Sequence, residues 1–166
     1  MIEVVIEDLA FMAVDAVLRP SSDRLDPVAS VSSRMDELAG PAFAEERRVQ
    51  SAMEIGSAVV TGAGELSAQF VIHTVIRGEE ANATKDSVRR ALTSAWQRAA
   101  AWGLDRIAGP PIGAGAGQLG LAGHQRLLAR RLELEAAAML VVFAFQPERR
   151  RGVALVQDRQ GGQPCV

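Results

Sequence analysis

The chain has 166 residues, of which 48% are hydrophobic and 23% charged, and its formal net charge is −2. This length supports one hydrophobic core, and the acidic balance disfavours generic nucleic-acid binding, which requires a net basic face. No apolar stretch approaches the roughly 20 residues that cross a bilayer, no signal peptide is recognisable and the single cysteine, Cys165, is next to last, so we expect a cytoplasmic protein without disulfide, metal or cofactor.

The first half of the chain predicts four strands and two short helices. β-branched runs predict the strands, and Ala-, Arg- and Glu-rich segments predict the helices. In chain order these are strands at Ile2 to Ile6 and Asp15 to Leu18, helices at Val28 to Leu38 and Ala42 to Val49, and strands at Ser57 to Thr61 and Gln69 to Ile76. Pro20 is expected to end the second strand, Gly40-Pro41 to separate the helices, and a turn at Gly62 and Gly64 to join the last two strands.

A longer helix is predicted between Thr84 and Gly103. Thr84 suits the N-cap and Gly103 the C-terminal end. Apolar residues recur between them at helical spacing and include both tryptophans, Trp96 and Trp102. We expect one buried helix face to contain both rings, so neither needs a role in ligand binding.

The second half of the chain alternates strands and helices. "RIAGPPI" predicts a strand that leads into a glycine-rich loop, and "HQRLLARRLELE" predicts the next helix. The apolar run Ala136 to Phe145 predicts a central strand, and its flanking helix indicates parallel pairing somewhere in the sheet. The whole order predicts an α/β fold with a mixed sheet covered on both faces by helices, a single domain over residues 1–146 and a partly frayed extension over residues 147–166.

Four glycines fall in "PPIGAGAGQLG", Pro110 to Gly120, between the predicted strand and helix. One tight turn rarely needs more than two glycines, so bare backbone amides that approach a ligand are the better explanation. The stretch contains a literal GxGxxG, which is a weak signal for dinucleotide binding. Too few residues follow Gly120 for a two-halved nicotinamide-binding sheet.

Four segments together resemble the macro domain family, whose members bind ADP-ribose and its derivatives. "GSAVVTGAGELSAQFVIHTVI" resembles the family's GEAVVTxGxxLPAxYVIHTVG, and "VVIEDLAFMAVDAVLRPSSDRL" resembles its opening V-GDI-T…DAIVNAAN-x-L. "IAGPPIGAGAGQLGL" resembles the second phosphate loop, AFPAIGTGxxGxP, and the strand that ends at Phe145 matches the closing strand. The resemblance covers about Ile2 to Gln146 and implies a three-layer α/β/α sandwich with a roughly six-stranded mixed sheet.

The resemblance also implies a binding site. Asp8 falls where the family's carboxylate accepts from the adenine amino group, with the Leu9 amide beside it, and Phe145 falls where an aromatic ring lies against the base. The second loop, which comprises Ile112, Gly113, Ala114, Gly115, Ala116 and Gly117, would hold the diphosphate with its amides. From the residues alone, Asp8 could instead cap a helical turn over Leu9 to Ala13, and Phe145 could be core. His73 is expected to be a structural, hydrogen-bonded histidine.

The departures from the family pattern lie in the first phosphate loop. Ser22 replaces the asparagine that faces the distal ribose, and Ser32 replaces the acidic residue of hydrolytic members. Pro27, Val28, Ala29 and Ser30 stand where the family has glycines, and Val31 matches the family; Ser30 and Val31 complete this part of the predicted site. Serine at its normal pKa is no general base, so efficient hydrolysis is not expected. Asp26 and Asp36 are the nearby carboxylates that could compensate.

Three hypotheses follow. The first is a stand-alone macro-type domain that binds ADP-ribose, a related adenine nucleotide or an ADP-ribosylated protein without efficient catalysis. The second is a hydrolase of ADP-ribosyl esters or O-acetyl-ADP-ribose with a rearranged site. The third is a domain that has lost its ligand and acts through self-association, although the retained second loop speaks against this.

Overall fold

The computed structural model describes residues 2–112, 139–144 and 155–156. They form a mixed sheet with the strand order β3-β4-β2-β5-β6-β1-β7. The strands are β1 Ile2–Ile6, β2 Ala16–Ser22, β3 Ala58–Gly62, β4 Phe70–Arg77, β5 Arg106–Gly109, β6 Met139–Ala144 and β7 Leu155–Val156. Two α-helices, α1 Ser30–Glu46 and α2 Lys85–Trp102, and a 3₁₀ turn, Leu9–Phe11, complete the described elements.

The sheet has seven strands in the described part of the chain, where the sequence predicted about six. The additional strand is β7, two residues that pair in parallel with β1. It lies in the predicted C-terminal extension, whose Gly- and Gln-rich composition gave no strand signal. β2 pairs in parallel with both β4 and β5, which confirms the expected parallel pairing. β6 is central, as predicted, and is antiparallel to both of its neighbours, β5 and β1.

Alternating side chains of β2 and β4 divide the core between the two faces of the sheet. Val17 and Val71 pack on one face against α1, whereas Leu18 and Ile72 pack on the other face against α2. This arrangement confirms the α/β/α layers. In the described residues no helix is long and apolar enough to cross a membrane.

Helix α1 has the break that the sequence predicted. Gly40 has a φ of 81° and a ψ of 178°, so two helical segments meet there, and Pro41 starts the second one. The first segment begins at Ser30 rather than Val28, because the backbone is still extended at Ala29, and the second ends at Glu46 rather than Val49. The kinked helix places Met35, Ala39 and Phe43 in the core.

Helix α2 follows the predicted chemistry at both ends. The Thr84 side chain accepts from the Ser87 amide while the Ser87 hydroxyl accepts from the Thr84 amide, which completes a capping box. Gly103 ends the helix in the left-handed region. The prediction for the tryptophans was half wrong: Trp96 is partly buried against the core, but Trp102 is 52% exposed. Trp102 lies in the last turn, and the centre of its ring is 5.3 Å from that of the Phe70 ring in an edge-to-face arrangement.

Pro20 does not end β2, which continues to Ser22. A proline lacks the N–H that a doubly paired strand needs, so it is excluded chiefly from central positions. Within the described residues, β5 pairs with β2 at Ala16 and Val17 only, so the part of β2 around Pro20 has a ladder with β4 alone. The Pro20 carbonyl instead accepts a hydrogen bond from Ser32 on α1.

Candidate functional site

The predicted loops follow strands that end at one edge of the sheet. β2, β4 and β5 are parallel, so their carboxyl ends, Ser22, Arg77 and Gly109, lie at that edge. Open α/β sheets bind ligands in the crevice outside such strand ends. Val28 from the first loop, residues 22–29, and Ile112, at the start of the second loop, pack against the same apolar cluster. The structure thus brings Val28 of the first loop and Ile112, the one described residue of the second loop, to the same apolar cluster.

Asp8 caps a helical turn, as the reading from the residues alone allowed, although the turn is the 3₁₀ turn Leu9–Phe11 and stops short of Ala13. Asp8 Oδ1 accepts from the Ala10 amide at 3.1 Å. Oδ2 accepts from Nε and Nη2 of Arg34 on α1, at 2.8 and 2.6 Å. Partial burial raises the pKa of Asp8, but the hydrogen bonds from Arg34 and Ala10 outweigh it and lower this pKa below its usual value. The carboxylate is therefore ionised and close to α1.

Leu9 and the first turn of α1 lie near Asp8. The Leu9 side chain is buried in the core under α1, and Val31 is partly buried against the same cluster. Ser30, the first residue of α1, is exposed. Within the described residues no side chain caps this helix at Ala29, so its first-turn amides have no side-chain acceptor. Asp8, Leu9, Ser30 and Val31 therefore share one region, with an ionised acceptor and amide donors.

Ser22, at the predicted asparagine position, directs its hydroxyl oxygen into its own loop. Ser22 Oγ accepts from the amides of Arg24 at 3.2 Å and Asp26 at 3.1 Å. The Leu25 amide donates to the Ser22 carbonyl, and the Ser22 amide donates to the Asp26 carbonyl, both at 3.0 Å. The first loop is thus a tight turn stabilised by its own hydrogen bonds.

Ser32, at the position of the acidic residue, is fully buried. Its hydroxyl donates to the Pro20 carbonyl at 2.7 Å, which ties α1 to the end of β2. A hydroxyl held in this way has no ionisable proton near neutral pH and no free direction toward a water molecule. Ser32 therefore has a structural role, because its hydroxyl joins α1 to β2.

Arg19 is the main feature of this region that the sequence analysis missed. Its side chain is fully buried and forms a bidentate ion pair with Asp36, with Nε–Oδ1 and Nη2–Oδ2 distances of 2.8 and 2.7 Å. Nη1 also donates to the Leu25 carbonyl at 2.9 Å, and the guanidinium carbon lies 5.9 Å from the centre of the Phe43 ring. The signal was available, because an arginine inside an apolar strand needs a buried acid.

His73 is a structural, hydrogen-bonded histidine, as predicted. Arg19 Nη1 lies 3.2 Å from Nδ1, and Thr61 Oγ1 lies 2.9 Å from Nε2. Burial lowers the pKa of His73 to about 3, and the charges of Arg19 and Arg47 act in the same direction. Arginine has donors only, so Nδ1 is the acceptor and the neutral ring carries its proton on Nε2. His73 therefore links β2 to β3 through Arg19 and Thr61.

The two carboxylates that could have replaced a lost catalytic acid are already in ion pairs. Asp36 is bound by Arg19, and its Oδ2 also lies 3.4 Å from Nη2 of Arg47. Oδ1 of Asp26 lies 3.6 Å from Nη1 of Arg47, and the Asp26 side chain is 63% exposed. No group of three or more His, Cys, Asp or Glu side chains within residues 2–112, 139–144 and 155–156 could hold a metal ion.

Part of the predicted site lies outside the described residues. These positions are Gly113, Ala114, Gly115, Ala116 and Gly117 of the second loop, and Phe145. Ile112, the first residue of the second loop, is described, and it is partly buried against the two apolar clusters that contain residues of α2.

Comparison with known proteins gives one consistent result. The sequence model of the macro domain family matches residues 20–125. An O-acetyl-ADP-ribose deacetylase from Citrobacter rodentium is 30% identical over 155 residues, which cover 89% of this chain and 84% of the relative.

Solved structures agree. The macro domain of ganglioside induced differentiation associated protein 2 has a TM-score of 0.60 and 22% identity over 78% of this chain and 68% of its own. The Trypanosoma brucei macrodomain in complex with ADP has a TM-score of 0.60 and 23% identity over 79% of this chain and 53% of its own. The same macrodomain in complex with ADP-ribose has a TM-score of 0.57 and 22% identity over 66% of this chain and 47% of its own. The structural likeness gives the fold, and together with the sequence matches it shows that the chain belongs to the macro domain family.

Proposed function

We propose that this macro domain binds ADP-ribose or a related adenine nucleotide, free or attached to a protein, and does not hydrolyse it efficiently. Its relatives support the ligand class, since macrodomains of this fold are found in complex with ADP and with ADP-ribose. The observation that carries the proposal is the position of Asp8, an ionised acceptor beside the uncapped first turn of α1.

Each part of the site suits one part of the ligand. Asp8 would accept from the exocyclic amine of adenine, a donor that requires a nearby acceptor. The amides of Gly113 to Gly117, which follow β5 in the sequence, would hold the diphosphate, since bare backbone can approach the oxygens closely. Arg34 now occupies Asp8 Oδ2, so the base would have to displace it or bind beside it.

The absence of efficient hydrolysis rests on the two serines. Hydrolysis needs a group that activates water and one that orients it. Ser32 donates to the Pro20 carbonyl, and Ser22 accepts from two amides of its own loop. Asp36, the nearest alternative acid on α1, is neutralised by Arg19. The side chains of Ser22, Ser32 and Asp36 are thus engaged in structural contacts, and none of them is free to activate or orient water.

Matched variants test the site. Asp8→Ala should abolish detectable binding in calorimetry with ADP-ribose, because the acceptor for the base is lost. Arg34→Ala breaks the same ion pair but leaves the carboxylate, so its affinity should equal that of the wild type or exceed it by up to about fivefold, the size of an exposed ion pair. Gly115→Val should also abolish binding, because a side chain would fill the phosphate position. Normal binding by Asp8→Ala would refute the proposed role of Asp8.

One observation favours the second candidate function, hydrolysis with a rearranged site. The relative that is 30% identical across most of its length is named O-acetyl-ADP-ribose deacetylase. The two candidate functions can be distinguished by incubating the purified protein with O-acetyl-ADP-ribose and measuring the released product by chromatography. We expect no more release than in a protein-free control, and turnover that Asp36→Asn abolishes would instead establish a compensating acid.

A further inference from the structure

Four of the seven backbone amides in the first loop, residues 22–29, donate within the loop itself. The amides of Ser22, Arg24, Leu25 and Asp26 all donate to acceptors on Ser22 or Asp26. Pro27 has no N–H and forms an isolated bridge with Ser21 at the end of β2. A loop that binds phosphate or ribose through its backbone needs free amides, and this loop has used four of its own.

A buried ionic cluster holds the loop in this conformation. The Leu25 carbonyl accepts from Arg19 Nη1 at 2.9 Å and from Arg47 Nη1 at 3.3 Å. Leu25 itself is 1% exposed and has a φ of 62°, a left-handed conformation that L-residues other than Asn and Asp rarely adopt. Asp36 fixes the Arg19 guanidinium from the opposite side, and Arg47 also lies against Asp36.

We infer that Arg19, fixed by Asp36, is a positioning residue that keeps the first loop closed, so that the domain recognises the adenosine diphosphate part of its ligand and not the distal ribose. This inference rests on the proposed function. The resemblance implies that Ser22, in the first loop, stands where the family's asparagine faces the distal ribose, and that the second loop holds the diphosphate. With the first loop closed, only the Asp8 region and the second loop contribute to affinity.

Titration of the wild-type protein with two nucleotides tests the specificity. ADP and ADP-ribose share the adenosine diphosphate part, and ADP lacks the distal ribose. We expect their dissociation constants to agree within about threefold. ADP-ribose binding more than tenfold tighter than ADP would overturn the inference and leave the proposed function intact, whereas no binding of either nucleotide would contradict both.

Amide hydrogen exchange tests the loop directly. In the free wild-type protein, the Leu25 and Asp26 amides should be protected, and ADP-ribose should not add protection. Arg19→Met removes the shorter of the two donors to the Leu25 carbonyl and leaves Arg47 in place, and it should speed exchange at these amides at least tenfold. Arg24→Met, at an exposed arginine of the same loop, is the matched control and should change nothing.

Two results would overturn this part of the inference. One is fast exchange of the Leu25 and Asp26 amides in the free wild-type protein, a result that does not depend on whether Arg19→Met folds. The other is unchanged protection in a folded Arg19→Met variant. If that variant folds and opens the loop, its preference for ADP-ribose over ADP should rise above that of the wild type.

Discussion

His73 shows how a single side chain links the buried ionic cluster to the pH dependence of folding. Its pKa is about 3 in the fold and 6.5 when unperturbed. Between these values the unfolded chain binds a proton that the folded protein does not, so stability is full above about pH 6.5 and decreases as the pH falls. The free energy of unfolding should drop by about 2 kcal/mol between pH 7 and pH 5 from this residue alone.

Urea denaturation at several pH values measures this decrease. His73→Gln removes the titrating group and should flatten the profile over this range. His124→Gln changes the chain's other histidine and is measured alongside to separate its contribution from that of His73. An equal slope in the wild type and His73→Gln would show that His73 is not the group responsible.

The sequence predicted local roles of residues better than their distant partners. Asp8 caps the 3₁₀ turn by accepting from the Ala10 amide, two positions away, and the sequence analysis offered this cap as one of two roles for Asp8. Its ion pair with Arg34 joins residues 26 positions apart and requires the packing of α1 over the 3₁₀ turn. Arg19 and His73, 54 positions apart, meet only because β2 and β4 are neighbours in parallel register. Such pairs depend on tertiary structure, which periodicity does not encode.

At the scale of elements, α1 provides a test of the altered catalytic position. Ser32→Asp would place a carboxylate in a fully buried position that faces the Pro20 carbonyl, so it should cost about 2–3 kcal/mol of stability and restore no hydrolysis. Ser30→Asp adds the same charge two residues earlier, at an exposed first-turn position where the helix dipole favours it. This control should be neutral or slightly stabilising.

Urea denaturation and the hydrolysis assay decide between the outcomes, and Ser22→Asn should be added to Ser32→Asp in a double variant. A double variant that folds normally and gains hydrolysis would mean that the first loop can still adopt the shape that hydrolysis requires. That result would contradict both the closed loop and the structural role of Ser32.

Helix boundaries with specific chemistry were predictable, whereas the sequence indicated that some strands pair in parallel but not which strands they are. The capping box at Thr84, the left-handed Gly103 and the break at Gly40 depend on residues a few positions apart. The path of β2 through Pro20 depends on which neighbours pair with it, and the exposure of Trp102 depends on where α2 ends relative to the sheet. Helical spacing gives the face on which a residue lies, but it does not say whether the sheet extends beneath the last turn.

At the scale of the whole molecule, the scaffold and the site have separate determinants. The order of segments that resembles macro domains extends along most of the chain, and the described strands and helices have the α/β/α layers of that family. The substitutions at Ser22, Pro27, Val28 and Ser32 change one loop and its contacts while leaving the sheet in place. A fold can keep its architecture while the chemistry at its edge changes, so function has to be argued from the site.

The measurement that tests the account most directly is calorimetric titration of the wild-type protein with ADP-ribose, with AMP and inorganic phosphate as controls. We predict micromolar binding of ADP-ribose, weaker binding of AMP, which lacks the second phosphate, and no measurable binding of phosphate alone. The absence of heat with all three ligands, from a sample shown to be folded, would contradict nucleotide binding by this domain.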